Sequence, residues 1–171
     1  MHSKNIVLSK EAIERRIKEL GQEITEHYQE KDLVIIGVLK GAFIFMADLV
    51  RAIDLEFTID FLQAASYGNS QISCGRVEIE KDIEIDITDK DILLVEDIVD
   101  TGNTLVCLKE KLAERNPHSI RICVLIDKQE RRQQEVAADF VGFVVKEVFL
   151  VGYGLDYDEK YRHFPEVITL T

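Results

Sequence analysis

Hydrophobic positions along the first third of the chain follow two different periods. Four apolar residues between positions 13 and 24 fall on one helical face behind Ser9, a candidate cap, and this helix should fray or end between Gly21 and Tyr28. Residues 33–38 form a short continuous apolar run, as a parallel strand buried on both faces requires. Residues 42–53 read as the helix that follows it, so the pattern predicts one strand, turn and helix unit.

The rest of the chain predicts mainly strands. Residues 56–62 alternate between apolar and polar, which indicates a half-exposed strand, whereas residues 63–75 lose all periodicity and predict a mobile loop. Further strands are predicted from position 77 and at 91–95, 119–126, 140–144 and 167–170, with a helix at 104–115. The alternation indicates an α/β fold: one domain over residues 1–171 with a doubly wound, mainly parallel sheet, whose ligands bind beyond the C-terminal ends of the strands.

Composition narrows the class of protein. With 32 acidic and 21 basic residues the formal charge is −11, which opposes non-specific binding to nucleic acid or to an anionic membrane. No segment approaches the roughly 18 apolar residues of a membrane span. Cys74, Cys107 and Cys123 show no C-x-x-C spacing, so buried reduced thiols and a cytoplasmic location are expected.

Residues 92–105, ILLVEDIVDTGNTL, carry most of the chemical information. An apolar strand ends in Glu96 and Asp97, and the turn from Thr101 to Thr104 offers hydroxyls and backbone N–H groups at a helix start, where an anion is favoured. Acids beside a phosphate site require a cation or hydroxyl groups between them, and Mg²⁺ takes few carboxylates while keeping its waters. The pattern therefore predicts a sugar phosphate with vicinal hydroxyls as the ligand.

Two other interpretations of this segment stand beside that one. An acidic turn between a strand and a helix is often a solvated loop with a capping side chain. A phosphate-receiver domain also has a strand that ends in two acids, but such a strand opens its domain, whereas here a whole strand and helix unit precedes it. The loop lacks the Gly-Lys-Ser or Gly-Lys-Thr of a Walker-type loop and the alternating acids of a calcium loop.

The segment VEDIVDTGNTL at 95–105 resembles the phosphoribosyl pyrophosphate (PRPP) motif of the phosphoribosyltransferases, and its EDIVDTG form resembles the branch that acts on 6-oxopurines. The resemblance extends over residues 34–162 and implies the type I phosphoribosyltransferase fold with a small hood. It also assigns roles to residues elsewhere. It implies a pyrophosphate site at Lys40, Gly41, Arg132 and Arg162, with a cis peptide bond before Lys40, and a purine site at Lys128, Phe149, Leu150 and Asp156, with Ser66 and Tyr67 in a mobile loop.

Within the motif, the resemblance gives each residue a part in PRPP binding. Thr101, Gly102, Asn103 and Thr104 would bind the 5-phosphate, Glu96 and Asp97 the ribose diol, and Asp100 would act as the general base. Magnesium is the implied cofactor, with Glu96, Asp97 and Asp156 as its candidate ligands. Asn103 occupies a position that is lysine in some members, and the Leu150 position also varies.

The activity implied is Mg²⁺-dependent transfer of the 5-phosphoribosyl group from PRPP to hypoxanthine or guanine, giving IMP or GMP and pyrophosphate in purine salvage. An ammonium at Lys128 would donate to the carbonyl of a 6-oxopurine and would meet the amino group of adenine with donor against donor. Xanthine remains open as a substrate. A homodimer or homotetramer is expected. The alternative from a different class is a regulatory protein that keeps this fold and pocket but binds RNA, which the net charge disfavours.

Overall fold

The computed structural model describes residues 4–66, 77–146 and 148–170. Its strands and helices mostly alternate along the first two thirds of the chain. They are β1 (Lys4–Leu8), α1 (Lys10–His27), β2 (Leu33–Leu39), α2 (Phe43–Arg51), β3 (Phe57–Ser66), β4 (Val77–Lys81), β5 (Asp91–Val99), α3 (Asn103–Ala113), β6 (Ser119–Asp127), a 3-10 turn (Gln129–Arg131), β7 (Phe140–Val144), β8 (Leu150–Val151) and β9 (Val167–Leu170).

Six strands form the central sheet in the order β4-β3-β2-β5-β6-β7. All neighbours in it are parallel except β3 and β4. One apolar core lies between the sheet and the helices α1 and α2, and a second lies between the opposite sheet face and α3. This arrangement confirms the predicted doubly wound, mainly parallel fold. The strands β2, β5 and β6 are buried on both faces, which explains their continuous apolar runs.

The helix α1 begins after the predicted cap, Ser9, and ends within the predicted interval. The Ser9 hydroxyl accepts a hydrogen bond from the backbone N–H of Ala12 at 3.1 Å, as an N-cap does. Gly21, however, lies inside the helix, and the helix ends at His27 with Tyr28 as its C-cap. A Cβ on Gly21 would come within 2.3 Å of the Ala52 carbonyl oxygen, so this glycine permits α1 to approach the end of α2. The helix therefore passes through Gly21 and ends at the far end of the predicted interval from Gly21 to Tyr28.

A second, three-stranded antiparallel sheet has the order β1-β9-β8. Its inner residues Val151 and Val167 are fully buried and Leu150 is nearly so, and two of these join the core beside α1 and α2. The strand β8 leads into the segment from 152 to 162. The strand β1 was not predicted, since its exposed residues show no clear period.

Two composition-based expectations have mixed outcomes. Cys123 is a free, buried thiol as expected, but Cys107 is disulfide-bonded, so the prediction of a reduced thiol is wrong there. None of the helices in the described part of the chain is both long enough and apolar enough to cross a membrane.

Candidate active site

The strand β5 delivers two acids to the C-terminal edge of the sheet. The backbone N–H of Asp97 donates to the Glu96 carboxylate at 3.0 Å, and that of Ile98 donates to the Asp97 carboxylate at 2.7 Å. Burial and the adjacent Asp97 charge raise the pKa of Glu96 well above its usual value. Burial also raises the pKa of Asp97, although hydrogen bonds and the charge of Arg162 oppose the rise. Two crowded carboxyls of this kind favour a cation or hydroxyl donors beside them.

The turn between β5 and α3 surrounds a cavity of about 200 Å³. Gly102 has φ +85°, in the left-handed region that glycine adopts without strain, and it immediately precedes the first residue of α3. The Thr101 hydroxyl accepts from the backbone N–H of Asn103 at 3.3 Å, which tightens the turn. The cavity is lined by the turn and the acidic strand end: Glu96, Asp97, Ile98, Val99, Asp100, Thr101, Gly102, Thr104 and Leu105. The helix start therefore presents its N–H groups beside the acids.

Asp100 lies between the acids and the turn. Its Oδ1 atom is buried and has no hydrogen-bond partner, whereas its Oδ2 atom lies 3.4 Å from a guanidinium nitrogen of Arg131. Leaving a buried carboxylate oxygen unpaired is unfavourable, because the lost hydration is not replaced. An unsatisfied acceptor in the cavity lining is what a group that receives a proton or hydrogen bond from a ligand requires.

Lys40 and Gly41 follow β2 at the same edge, and the peptide bond from Leu39 to Lys40 is cis, as the resemblance implied. A Cβ on Gly41 would lie 2.0 Å from an Asp97 carboxylate oxygen. A Cβ on Gly154 would likewise lie 2.3 Å from the Gly41 carbonyl oxygen. The structure thus brings the Lys40-Gly41 turn against the acids on one side and against the segment after β8 on the other.

Arg162 closes this corner of the site. Its guanidinium donates to the Gly154 carbonyl at 2.7 Å and lies 3.3 Å from carboxylate oxygens of both Asp156 and Glu159. The other oxygen of Glu159 lies 2.9 Å from the Lys40 ammonium. Glu159, which sequence reasoning missed, therefore joins the two cations that were predicted to hold pyrophosphate, and an incoming anion would compete with it.

The residues predicted to bind the purine differ in how far they are exposed. Lys128 directly follows β6 and is only 7% exposed, whereas the Phe149 side chain is 55% exposed. The Phe149 and Tyr157 rings form a T-shaped pair, with 5.5 Å between ring centroids. Leu150 is buried within β8, which leaves only its backbone to read a ligand.

Arg132 has a different environment from the one expected for a pyrophosphate ligand. Its guanidinium makes a very short ion pair with the buried Asp127 and also donates to the Val136 carbonyl and, at 3.2 Å, to the Asp100 carbonyl. All three guanidinium nitrogens thus bond to the protein. The role of Arg132 at pyrophosphate stays a prediction, and the observed contacts favour a part in holding the turn.

Two further predictions concern the metal and the mobile loop. Within residues 4–66, 77–146 and 148–170, no three His, Cys, Asp or Glu side chains are placed to hold one metal ion. The assignment of Glu96, Asp97 and Asp156 to magnesium stays a prediction. Ser66 is the last residue of β3, and Tyr67 lies outside the described residues.

The chain is similar over nearly its whole length to proteins of known activity. A family model described as phosphoribosyl transferase domain matches residues 3–158. The chain is 44% identical over 168 residues to the hypoxanthine phosphoribosyltransferase of Escherichia coli K12, covering 97% of this chain and 94% of that protein. It is 48% identical to the hypoxanthine-guanine phosphoribosyltransferase of Bacillus subtilis, covering 95% and 90%. The crystal structure of a Staphylococcus aureus hypoxanthine phosphoribosyltransferase superposes with a TM-score of 0.94 at 43% identity, covering 98% and 91%.

Proposed function

Because the chain belongs to the phosphoribosyl transferase family, we propose that it transfers the 5-phosphoribosyl group of PRPP to N9 of hypoxanthine or guanine, releasing pyrophosphate. The product is IMP or GMP, and the reaction serves purine salvage. The observation that carries this proposal is the meeting, at one sheet edge, of the acidic end of β5, the turn that opens α3 and the buried Lys128, whose backbone N–H donates to the Val99 carbonyl.

The turn from Thr101 to Thr104 binds the 5-phosphate. Gly102 adopts the left-handed φ that this turn requires, and the start of α3 directs its N–H groups and positive dipole end toward the anion. Glu96 and Asp97 accept hydrogen bonds from the ribose hydroxyls. Hydrogen bonds donated by these hydroxyls offset the burial and the adjacent Asp97 charge that raise the pKa of Glu96.

The leaving pyrophosphate is held by Lys40, the Gly41 backbone and Arg162. Its negative charge replaces the Glu159 carboxylate, which bridges the two side chains in the ligand-free arrangement. The crowded carboxyls of Glu96 and Asp97 would fit a hydrated Mg²⁺, and Asp156, which lies 3.3 Å from Arg162, would be a further ligand. Bound Mg²⁺ supplies neutralisation of the charge that develops on the departing group.

The purine lies between Lys128 and Phe149. The ring of Phe149 stacks on the base, and the ammonium of Lys128 donates to the exocyclic oxygen. A buried ammonium leaves the amino group of adenine without an acceptor, so this site favours 6-oxopurines. Xanthine carries the same exocyclic oxygen at this position and is a further candidate substrate.

Asp100 acts as the general base near N7 of the purine. Its unpaired Oδ1 atom accepts the proton, or shares it, while the new glycosidic bond forms at N9. As pyrophosphate leaves, C1 of the ribose becomes positively charged, and the nearby carboxylates stabilise that charge. Positioning of the two substrates supplies much of the remaining acceleration.

Incubation with PRPP, Mg²⁺ and each of hypoxanthine, guanine, xanthine and adenine tests the proposal. We expect nucleotide formation from hypoxanthine or guanine and none from adenine. No nucleotide from either 6-oxopurine would refute the proposed activity. Size-exclusion chromatography of the same preparation tests the predicted homodimer or homotetramer. Cell fractionation tests the predicted cytoplasmic location.

A further inference from the structure

The segment that follows β6 lies along the phosphate-binding turn and bonds to it at successive positions. The backbone N–H of Lys128 donates to the Val99 carbonyl at 2.9 Å. The backbone N–H groups of Gln133 and Gln134 both donate to the Thr101 carbonyl, at 2.9 and 3.2 Å. We call residues 128–136 the strap, because they lie along the backbone of the turn and bond to it.

Arg132 connects the strap to the residue proposed as the base. Its Nε donates to the Asp100 carbonyl at 3.2 Å, one terminal nitrogen donates to the Val136 carbonyl, and the other pairs with Asp127. Asp127 is 5% exposed and ends β6, in register with Val99 at the end of β5. The guanidinium is therefore fixed by the rigid sheet edge and in turn fixes the carbonyl of Asp100.

Side-chain contacts reinforce the same attachment. A Cβ on Gly102 would lie 2.5 Å from the Val136 side chain and 3.1 Å from Cδ of Arg132, so the turn fits closely against the strap. The amide of Asn103, which is 5% exposed, donates to the Gln133 side chain at 2.9 Å. This contact gives Asn103 a role in joining the turn to the strap.

We infer that Arg132, held by Asp127, is a positioning residue for the transfer reaction, because its bond to the Asp100 carbonyl sets where the Asp100 carboxylate lies. The inference rests on the proposed function of Asp100. A short aspartate side chain has little reach, so a shift of its backbone moves the carboxylate by nearly the same distance. Misplacement of a reacting group by about 1 Å can lower a rate about 10²-fold.

A double-mutant cycle between Arg132→Gln and Asp100→Asn tests this inference. In the wild-type background we expect Arg132→Gln to lower kcat about 10²-fold. In the Asp100→Asn background, where the base is already absent, the same change should lower kcat by less than about threefold, because the two residues act as one unit. Equal losses in both backgrounds would overturn the inference, since a general structural defect would be independent of Asp100.

The matched control is Arg121→Gln, which breaks another arginine–aspartate pair at the opposite end of β6, where Arg121 lies 3.2 Å from Asp139. We expect it to leave kcat near the wild-type value. If Arg132→Gln does not fold, Asp127→Asn keeps the side-chain shape and removes the charge that fixes the guanidinium. That variant should lower kcat about tenfold in the wild-type background only. An inactive wild type would instead refute the proposed function itself.

Discussion

Asp100→Asn should separate catalysis from stability in this protein. The substitution keeps the size and shape of the side chain but removes the proton acceptor, so we expect kcat to fall by about 10² to 10⁴-fold. Such a loss corresponds to about 2.7 to 5.4 kcal/mol of transition-state stabilisation. The KM for PRPP should remain near the wild-type value, because the turn at Thr101 to Thr104 and the cations at Lys40 and Arg162 are untouched.

The effect on folding should be much smaller and has two opposing parts. Loss of the 3.4 Å ion pair with Arg131 removes about 0 to 1 kcal/mol, since both side chains are substantially exposed. Against this, an amide replaces a carboxylate whose Oδ1 atom is buried without a partner, which lowers the desolvation penalty. The unfolding free energy should therefore stay within about 1 kcal/mol of wild type.

Steady-state kinetics with hypoxanthine and denaturant unfolding measure the two quantities on the same preparations. Asp54→Asn, an exposed position before β3 at the opposite edge of the sheet, is the matched control and should change neither. A kcat within threefold of wild type for Asp100→Asn would show that Asp100 is not the base. A large loss of stability would show that its carboxylate supports the fold.

Three further changes probe the rest of the site. Lys128→Met should raise the KM for hypoxanthine about 10- to 100-fold and leave the KM for PRPP unchanged, because a hydrogen bond from a charged donor contributes about 1.5 to 3 kcal/mol. Equal changes in both KM values would contradict the role of Lys128 in binding the purine. Glu159→Gln should lower the inhibition constant of pyrophosphate about two- to fivefold by removing the carboxylate that competes for Lys40 and Arg162; a weaker pyrophosphate effect would count against that competition. In metal-free protein, a Glu96 pKa raised above its ordinary 4.5 means that the folded state binds more protons than the unfolded state, so this group reduces stability as pH rises above that value. Thermal melts from pH 5 to 8 should show Glu96→Gln gaining on wild type with rising pH, and parallel curves would refute the assignment.

The central sheet could be predicted from the sequence because its signals are local. Apolar runs and a strand-turn-helix motif each predict the secondary structure of their own segment. The order of these elements then restricts the topology of the sheet. The role of Gly21 inside α1 could not be predicted, because it depends on Ala52, which lies 31 positions later in the chain. The strand β1 was missed for the same reason: its exposed residues form a strand only by pairing with β9 at the other end of the chain.

The candidate site shows the same division between local and distant information. A motif identifies which residue types are present, and it located Asp100, Lys40 and Lys128 at one edge because parallel strands end together. It could not show that Arg132 faces Asp127 and the Asp100 carbonyl, since that depends on the path of the strap. In the sequence, a cation that follows a strand is as compatible with a phosphate ligand as with an ion pair inside the protein.

Close contact between the loops of the site explains why glycines occur where they do. Gly41 rests against Asp97 and Gly102 rests against the strap, with no space for a Cβ at either position. Gly154 in turn rests against the Gly41 carbonyl. Because each loop is packed on its neighbour, a displacement at one subsite is transmitted to the next by contact. The acids, the Lys40-Gly41 turn and the turn from Thr101 to Thr104 are therefore packed as one unit, and such preorganisation is what the proposed alignment of two substrates requires.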